Sequence, residues 1–426
     1  MNDTPKKGDV GESKKHARGL TRRRLLGGAA VGAGGLAIGG LSVAKLSGHA
    51  DAQSAQRVAF HGAHQAGIAT PAQDRLLFAS FDVATRERAD VVALLKSWTR
   101  AAERLVNGET VGFLRDPVSP ADDTGEALGL EPARLTLTFG FGPTLFERDG
   151  HDPYGLAASR PASLVDIPAF RGDALDPARS GGDLCVQACG DDPQVLFHAI
   201  RNLARIGRGS VVLRWVQEGF GRTSSTSQTQ VTPRNLLGFK DGTNNIRSEQ
   251  SDFAQHVWVD PGADPAWMRG GSCLVARRIR VRIETWDRSS LSDQEATIGR
   301  HRSTGAPLGA TDEFHTVDLA AVDSGGALVI PADAHIAIAN QQSLGIHLLR
   351  RGYNFTDGMD PRTGQLDAGL FFLAYQRDPR VQFIPMQHAL ASGDTLNEYI
   401  QHVSSAIFAV PPGVNPGGFI GEALFH

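Results

Sequence analysis

The order of strand-like and helix-like segments is the feature that most constrains the fold of this chain. In the first half, four segments have the alternation, or the β-branched and aromatic content, that is typical of β-strands. These segments are residues 76–83, 135–140, 184–189 and 211–216. A helix is predicted after the first of them, at 86–106, and another after the third, at 193–206, where a proline stands early. Strand, helix, strand, strand, helix, strand is the order of a ferredoxin-like unit.

The second half of the chain repeats the same element types. Its predicted strands are residues 271–281, 334–340 and 369–376. A helix is predicted over about 283–299, and a last helix is predicted to begin at 395–400. We therefore predict an α+β chain of two related halves, 53–225 and 226–426, joined by a Ser-, Thr- and Gln-rich segment at 224–232.

Composition excludes several classes of protein. With 41% hydrophobic residues the chain lies far from the disordered range, and a net charge of −3 argues against a nucleic-acid binder. Three cysteines cannot form a disulfide scaffold or a four-cysteine metal site. Cys185 and Cys189 lie four apart in one predicted strand, about 13 Å from each other, so we expect core packing instead of a disulfide. A metal must therefore be held mainly by His or carboxylate, or arrive inside a cofactor.

Residues 1–52 have the pattern of a targeting segment, with nine Lys and Arg against four acidic residues. Arg22 and Arg23 precede a weakly apolar run at 25–44 that contains seven glycines, and Ala50-Asp51-Ala52 has the small-x-small form of a cleavage site. This pattern resembles a Tat signal peptide. So many glycines make the run a poor permanent membrane anchor. We expect export to the periplasm or to the extracellular side of the cell envelope.

The most informative segment is 235–245, Asn-Leu-Leu-Gly-Phe-Lys-Asp-Gly-Thr-Asn-Asn. It is a glycine-bracketed loop that presents the Asp241 carboxylate beside Lys240. An Asp-Gly pair alone most often marks only a turn. The string Gly-Phe-Lys-Asp-Gly-Thr, however, resembles the GxxDG motif of the dye-decolorising (DyP-type) haem peroxidases.

Further segments resemble landmarks of the same family. His335 is followed fifteen residues later by Arg350 and Arg351, as in the family's haem-ligand and distal-arginine region. The other matching segments are 60–71, 304–309 and 365–372. With the Tat-like leader, the resemblance indicates the exported A-type group, which includes the deferrochelatase/peroxidase of bacterial ferrous-iron uptake systems. It implies two ferredoxin-like domains of the dimeric α+β barrel type with antiparallel sheets, the second of which (226–426) binds haem.

The resemblance implies one haem b per chain with His335 as the proximal iron ligand. A carboxylate should accept a hydrogen bond from the other ring nitrogen and make the ligand more electron-rich. Glu398 and Asp394 are both candidates for that carboxylate. His315 is a weaker candidate for the ligand position.

On the other side of the haem, the resemblance implies that Asp241 moves a proton between the two oxygens of hydrogen peroxide. An arginine beside it would favour the carboxylate form and stabilise charge on the departing oxygen. Arg350 is preferred for this role over Arg351, and the two side chains should point to opposite faces of a strand.

Other residues are candidate haem contacts. Those in the motif are Gly238, Phe239, Lys240, Gly242 and Thr243. Arg300 and His301 are candidates to hold propionates, although solvated loop charges explain them equally well. Asn244 or Asn245 is a candidate hydrogen-bonding residue near the distal pocket, although amides in loops more often stabilise turns.

The resemblance implies an exported haem peroxidase that oxidises dyes, phenols or metal ions through a ferryl intermediate. Its implied partners are hydrogen peroxide and an organic or metal-ion reductant, with iron-uptake proteins as further candidates. No nucleic acid and no permanent membrane span are expected, and the oligomeric state stays open. The alternative functions are a deferrochelatase-like protein that releases or supplies iron, and a secreted binding protein without redox turnover. An Asp and an Arg across the haem favour catalysis, because a binder needs only His335.

Overall fold

The computed structural model describes residues 57–113, 117–340 and 344–426, so the Tat-like leader lies outside the described residues. In chain order the strands are β1 (Arg75–Val83), β2 (Thr136–Phe141), β3 (Leu184–Gly190), β4 (Val211–Arg222), β5 (Ser272–Val281), β6 (Leu349–Arg350), β7 (Tyr353–Met359), β8 (Leu366–Gln376) and β9 (Ile400–Val410). The helices are α1 (Arg88–Val106), α2 (Pro193–Ile206), α3 (Phe253–Val257), α4 (Ile283–Trp286), α5 (Leu291–Ile298), α6 (His335–Ile338) and α7 (Phe383–Gly393).

The strands form two antiparallel sets with the same internal order. The first set runs β2-β3-β1-β4, and the second runs β9-β5-β8-β7 with the two-residue β6 also paired to β8. When the four long strands of each set are numbered separately in chain order, the first set reads 2-3-1-4 and the second reads 4-1-3-2, which is the same order reversed. The sets meet through one residue pair between β2 and β9, and through two pairs between β4 and β7. This barrel-like arrangement confirms the predicted α+β fold of two ferredoxin-like domains.

Helices α1 and α2 cover the first sheet because each has one apolar face. The two helices pack on each other, and α2 also packs on β1 and β3. The start of α2 is fixed by Pro193 at its first position and by the Asp192 side chain, which accepts hydrogen bonds from the backbone N–H of Gln194 and Val195. Trp98 of α1 is fully buried and donates its indole N–H to the Leu203 carbonyl, 2.8 Å away. Within the described residues, no helix has the length and apolarity that a membrane crossing requires.

A second core lies where the two strand sets face each other. Phe78 of β1 contacts the rings of Trp215, Phe371 and Phe408, which come from both halves of the chain. Cys185 belongs to the same cluster, as does Cys189. Both thiols are buried and free, which confirms the expectation of core packing.

Three predicted elements of the second half are wrong. Residues 334–340 form no strand, because His335–Ile338 is the single helical turn α6. Alternating apolar residues in so short a run do not separate strand from helix, and alanine favours the helix. The helix predicted over 283–299 is two helices, and Ser290 caps the second by accepting a hydrogen bond from the Asp293 N–H. The helix predicted from 395 is a short 3₁₀ turn that leads into β9, and the real helix, α7, lies before it.

Candidate active site

A cavity of about 380 Å³ lies in the second half of the chain. Its walls come from the second sheet, from α6 and α7, and from the loops around 235–244 and 313–317. Most of the wall is apolar; the residues involved include Ile279, Val281, Ile298, Leu348, Leu370, Phe372, Phe383, Met386, Leu390, Leu396 and Ile400. Ionisable side chains that the sequence predicts at the site, or as partners of it, also line the cavity, and His335, Asp394, Asp241 and Arg350 form two pairs among them.

His335 is paired with Asp394. The ring Nδ1 lies 2.6 Å from Asp394 Oδ2, and the other carboxylate oxygen accepts a hydrogen bond from the Leu396 N–H at 2.8 Å. The structure thus selects Asp394, and not Glu398, as the carboxylate partner. With Nδ1–H donated to Asp394, Nε2 is the nitrogen whose lone pair is free to bind a metal.

The charge environment of His335 follows from this pairing. Burial opposes the charged ring, but the adjacent Asp394 carboxylate outweighs it, and Asp241 adds to the effect, so the pKa of His335 is raised. The His335 side chain keeps 33% exposure because it opens into the cavity, whereas Asp394 is 2% exposed. The carboxylate therefore fixes the orientation of the ring while the ring remains accessible.

Asp241 lies in the loop predicted from the GxxDG-like motif. Arg350 Nη1 donates to its Oδ1 at 3.0 Å, and Asn235 Nδ2 donates to its Oδ2 at 3.1 Å. The following residue, Gly242, has φ +87°, and a Cβ there would lie 2.9 Å from the Ser224 backbone. Only glycine fits at that position, which is why the loop can turn directly after the carboxylate.

The side chains of Arg350 and Arg351 point to opposite faces, as expected for consecutive residues of an extended chain. Arg350 of β6 points into the cavity with 24% of its side chain exposed. Arg351 is fully buried on the other face, where it donates to the Thr70 carbonyl and to Gln73 Oε1. The structure brings Arg350, and not Arg351, to Asp241.

Glu313 ties the motif loop to the neighbouring loop at 300–317. Its carboxylate forms an ion pair with Lys240 and accepts a hydrogen bond from Thr243 Oγ1 at 3.0 Å. Burial alone would raise the pKa of Glu313, but these contacts lower it. Arg300 is 8% exposed and donates to the carbonyls of Gly305 and Glu313 at 2.7 and 3.0 Å.

The remaining predicted contacts divide into two groups. Phe239, Lys240, Gly242, Thr243, Asn244, Arg300 and His315 line the cavity. Gly238 and His301 do not line it, and the His301 ring Nδ1 instead lies 3.0 Å from Glu295 Oε2. The assignment of His301 to a propionate thus has no support in the geometry. The roles of the lining residues stay predictions.

Sequence reasoning missed Glu313 and Asn235 as parts of the site. Asn235 opens the motif segment, and the segment with His315 contains Glu313, so both were visible only as neighbours of other candidates. Nothing local indicates that Glu313 reaches Lys240 across seventy-three residues.

The donor set fits a haem. An imidazole with an accessible Nε2 and a carboxylate partner is an axial haem ligand by its chemistry, and the apolar walls suit a macrocycle. The described residues contain no group of three or more His, Cys, Asp or Glu side chains placed to bind a bare metal ion.

Comparison with known proteins agrees with this chemistry. The family models described as Dyp-type peroxidase, N-terminal and C-terminal, match residues 65–221 and 232–415. The chain is 38% identical to a dye-decolorizing peroxidase of Thermobifida fusca, over 88% of this chain and 86% of the relative. It is 35% identical to a deferrochelatase of Yersinia pseudotuberculosis, over 95% of each chain.

Solved structures show the same relation. An oxyferrous complex of DtpA from Streptomyces lividans shares 39% identity at a TM-score of 0.79, over 88% of this chain and 99% of that one. A DyP-type peroxidase from Streptomyces coelicolor shares 40% identity at a TM-score of 0.80, over 87% of this chain and 98% of that one. A Rhodococcus jostii DypB variant in complex with heme has 18% identity and a TM-score of 0.56, over 82% of this chain and 98% of that one, and shows the fold alone.

Proposed function

The chain belongs to the Dyp-type peroxidase family and is a haem peroxidase, and we propose that Asp241 and Arg350 carry out its reaction with hydrogen peroxide while His335 holds the haem iron. The observation that carries this proposal is that the His335–Asp394 pair and the Asp241–Arg350 pair line one apolar cavity. Haem, when bound, supplies the two electrons that break the O–O bond.

Asp241 is suited to move the proton. Each of its oxygens already accepts one hydrogen bond, from Arg350 and from Asn235. A carboxylate has about four acceptor sites, so lone pairs remain for a peroxide hydroxyl. Asp241 takes the proton from one peroxide oxygen and returns it to the other, which leaves as water.

Arg350 is suited to stabilise charge. Its guanidinium pairs with the Asp241 carboxylate and holds it in place at the cavity wall. Its remaining N–H groups can donate to the departing oxygen while charge develops there. Because most of the cavity wall is apolar, these electrostatic contacts are stronger than they would be in solvent.

Haem content tests the proximal assignment. We expect the purified protein to contain one non-covalent haem b per chain, since the sequence has no CxxCH segment, and His335→Ala to lose it. His315→Ala is the matched control, because His315 also lines the cavity and should leave haem content unchanged. If His335→Ala retains haem and His315→Ala loses it, His315 is the iron ligand instead of His335.

The relatives named deferrochelatase favour a second candidate function, in which this cavity releases iron from haem and two protons take its place. Asp241 and Arg350 argue for peroxide chemistry, because iron release has no need of them. Asp241→Asn should slow peroxide turnover by about 10²–10⁴. If that variant still converts haem to iron-free porphyrin under reducing conditions at the wild-type rate, the chain has both activities.

We also propose that the chain is exported through the Tat system and cleaved near Ala52. The twin arginines, the glycine-rich run and the small-x-small site support this proposal. Changing Arg22 and Arg23 to Lys keeps the charge but removes the receptor-read signal. Export of that variant at the normal level would contradict the proposal.

A further inference from the structure

The strand that carries Arg350 is only two residues long and is held on both edges. On one side β6 pairs with β8, where Leu349 lies opposite Tyr375 and Arg350 opposite Ala374. On the other side, the Asn245 side chain takes the place of a neighbouring strand. The Arg350 N–H donates to Asn245 Oδ1 at 2.9 Å, and Asn245 Nδ2 donates to the Arg350 carbonyl at 2.9 Å.

Asn245 belongs to the same loop as Asp241. Its N–H donates to the Gly242 carbonyl at 3.0 Å, which closes a tight turn directly after Asp241. The loop therefore contacts Arg350 twice: the Asp241 carboxylate meets the guanidinium, and the Asn245 amide meets the backbone. These two contacts form a closed ring that fixes the separation of the carboxylate and the guanidinium.

We propose that Asn245 is a positioning residue that sets the Asp241–Arg350 geometry by clamping the Arg350 backbone. This inference rests on the proposed function. Asn245 itself is 5% exposed and does not line the cavity, so it acts through Arg350. A long arginine side chain has much rotamer freedom, so a fixed backbone origin is what makes its guanidinium position reproducible.

The side-chain amide of Asn245 makes three hydrogen bonds at this position, and these need both donors and an acceptor. Its Nδ2 donates to two carbonyls, those of Arg350 and of Ser225 at 3.0 Å, while its Oδ1 accepts from the Arg350 N–H. An aspartate of the same shape would keep the last bond but would place a carboxylate oxygen against both carbonyls. Asn245→Asp therefore removes the donors alone, whereas Asn245→Ala removes the whole clamp.

A double-mutant cycle on the haem-loaded full chain tests the proposal. Asn245→Ala should lower the second-order rate constant with hydrogen peroxide by about 10- to 100-fold, the size expected from a misplaced reacting group. Arg350→Leu should lower it by about 10²–10³. If Asn245 acts through Arg350, the double variant is no slower than Arg350→Leu, within about twofold. Independent effects would instead multiply, and that result overturns the proposal.

The affinity for fluoride gives a second readout that does not depend on catalytic turnover. Fluoride is a small anion that binds haem iron and accepts hydrogen bonds, so its Kd reports where the guanidinium lies. Asn245→Asp and Asn245→Ala should each raise that Kd by about tenfold, as Arg350→Leu should. An unchanged Kd in both Asn245 variants overturns the proposal. Asn415→Asp, which adds the same charge at an exposed position outside the cavity lining, should leave it unchanged.

Failure of the inference is distinguishable from failure of the proposed function. A wild-type peroxide rate in Arg350→Leu refutes the role of Arg350 itself, whatever Asn245 does. An impaired Arg350→Leu beside unaffected Asn245 variants refutes only the clamp. If Asn245→Asp does not fold, Asn245→Ala and Asn245→Ser, which add no charge, complete the cycle.

Discussion

The pairing of Asp394 with His335 makes Asp394→Asn the most informative single change in the cavity. The wild-type carboxylate accepts from two donors at once, His335 Nδ1 at 2.6 Å and the Leu396 N–H at 2.8 Å. An amide has only one oxygen, so it can serve only one of them. If the oxygen stays on Leu396, the NH₂ group faces Nδ1 and moves the ring proton to Nε2, which then cannot bind iron. If the amide turns round, the buried Leu396 N–H has no acceptor.

Either orientation costs about one hydrogen bond to a charged group, roughly 1.5–3 kcal/mol. At about 1.4 kcal/mol for each factor of ten, this loss corresponds to a haem affinity about 10- to 100-fold weaker, which is the range usual for a partner of a metal-bound histidine. The assay is the rate of haem transfer to an excess of a haem-scavenging protein, measured by the Soret absorbance.

The matched control is Asp333→Asn, which removes the same charge at an exposed position two residues before His335. It should transfer haem at the wild-type rate. If Asp394→Asn also keeps haem as firmly as the wild type, the carboxylate does not set the ring tautomer, and the account of the proximal side is refuted.

Three further outcomes are expected. Asp241→Asn should lower the peroxide rate constant by about 10²–10⁴, and a wild-type rate in stopped-flow measurements would reduce Asp241 to a turn residue. Glu313→Gln removes the ion pair with Lys240 and should lower the free energy of unfolding by about 1–3 kcal/mol, which urea denaturation measures; an unchanged midpoint would contradict this. Burial, with a smaller effect of Arg277, lowers the pKa of His402 from 6.5 to about 3. Folding therefore favours the neutral ring, and stability should fall as the pH drops from 6.5 towards 3; in the haem-free protein, His402→Phe should show a shallower fall, and an equal fall would contradict the assignment.

Local patterns were sufficient for the first half of the fold and for the opposite orientation of Arg350 and Arg351. The strands and helices of residues 75–222 follow from strong periodicity and from helix-start signals such as Asp192 followed by Pro193. The separation of Arg350 from Arg351 follows from strand geometry alone. Asp241 and His335 were identified by a family resemblance, since a lone Asp-Gly or a lone His indicates no function.

Local patterns failed to predict the elements and contacts that surround the cavity. Helix α7 has apolar residues on nearly every side because one face lines the cavity, so the usual amphipathic period is absent. The turn that carries His335 is too short for any period to identify. Contacts such as Glu313 with Lys240 depend on tertiary packing, and no spacing rule in a single sequence predicts them.

Arg350 of β6 and Arg351, which follows it, also determine the alignment of that strand against β8. A slip by one residue would send Arg351 into the cavity and Arg350 into the barrel, with no change in the charge on either side. Each cation, however, has partners that the other cannot reach without moving the backbone. Arg350 pairs with Asp241 in the cavity, whereas Arg351 donates to Thr70 and Gln73 on the opposite face. The segment that precedes β1 therefore fixes the register of a strand some 280 positions later in the chain. Substitutions at Gln73, remote from any bound substrate, are where misaligned and inactive protein should first be found.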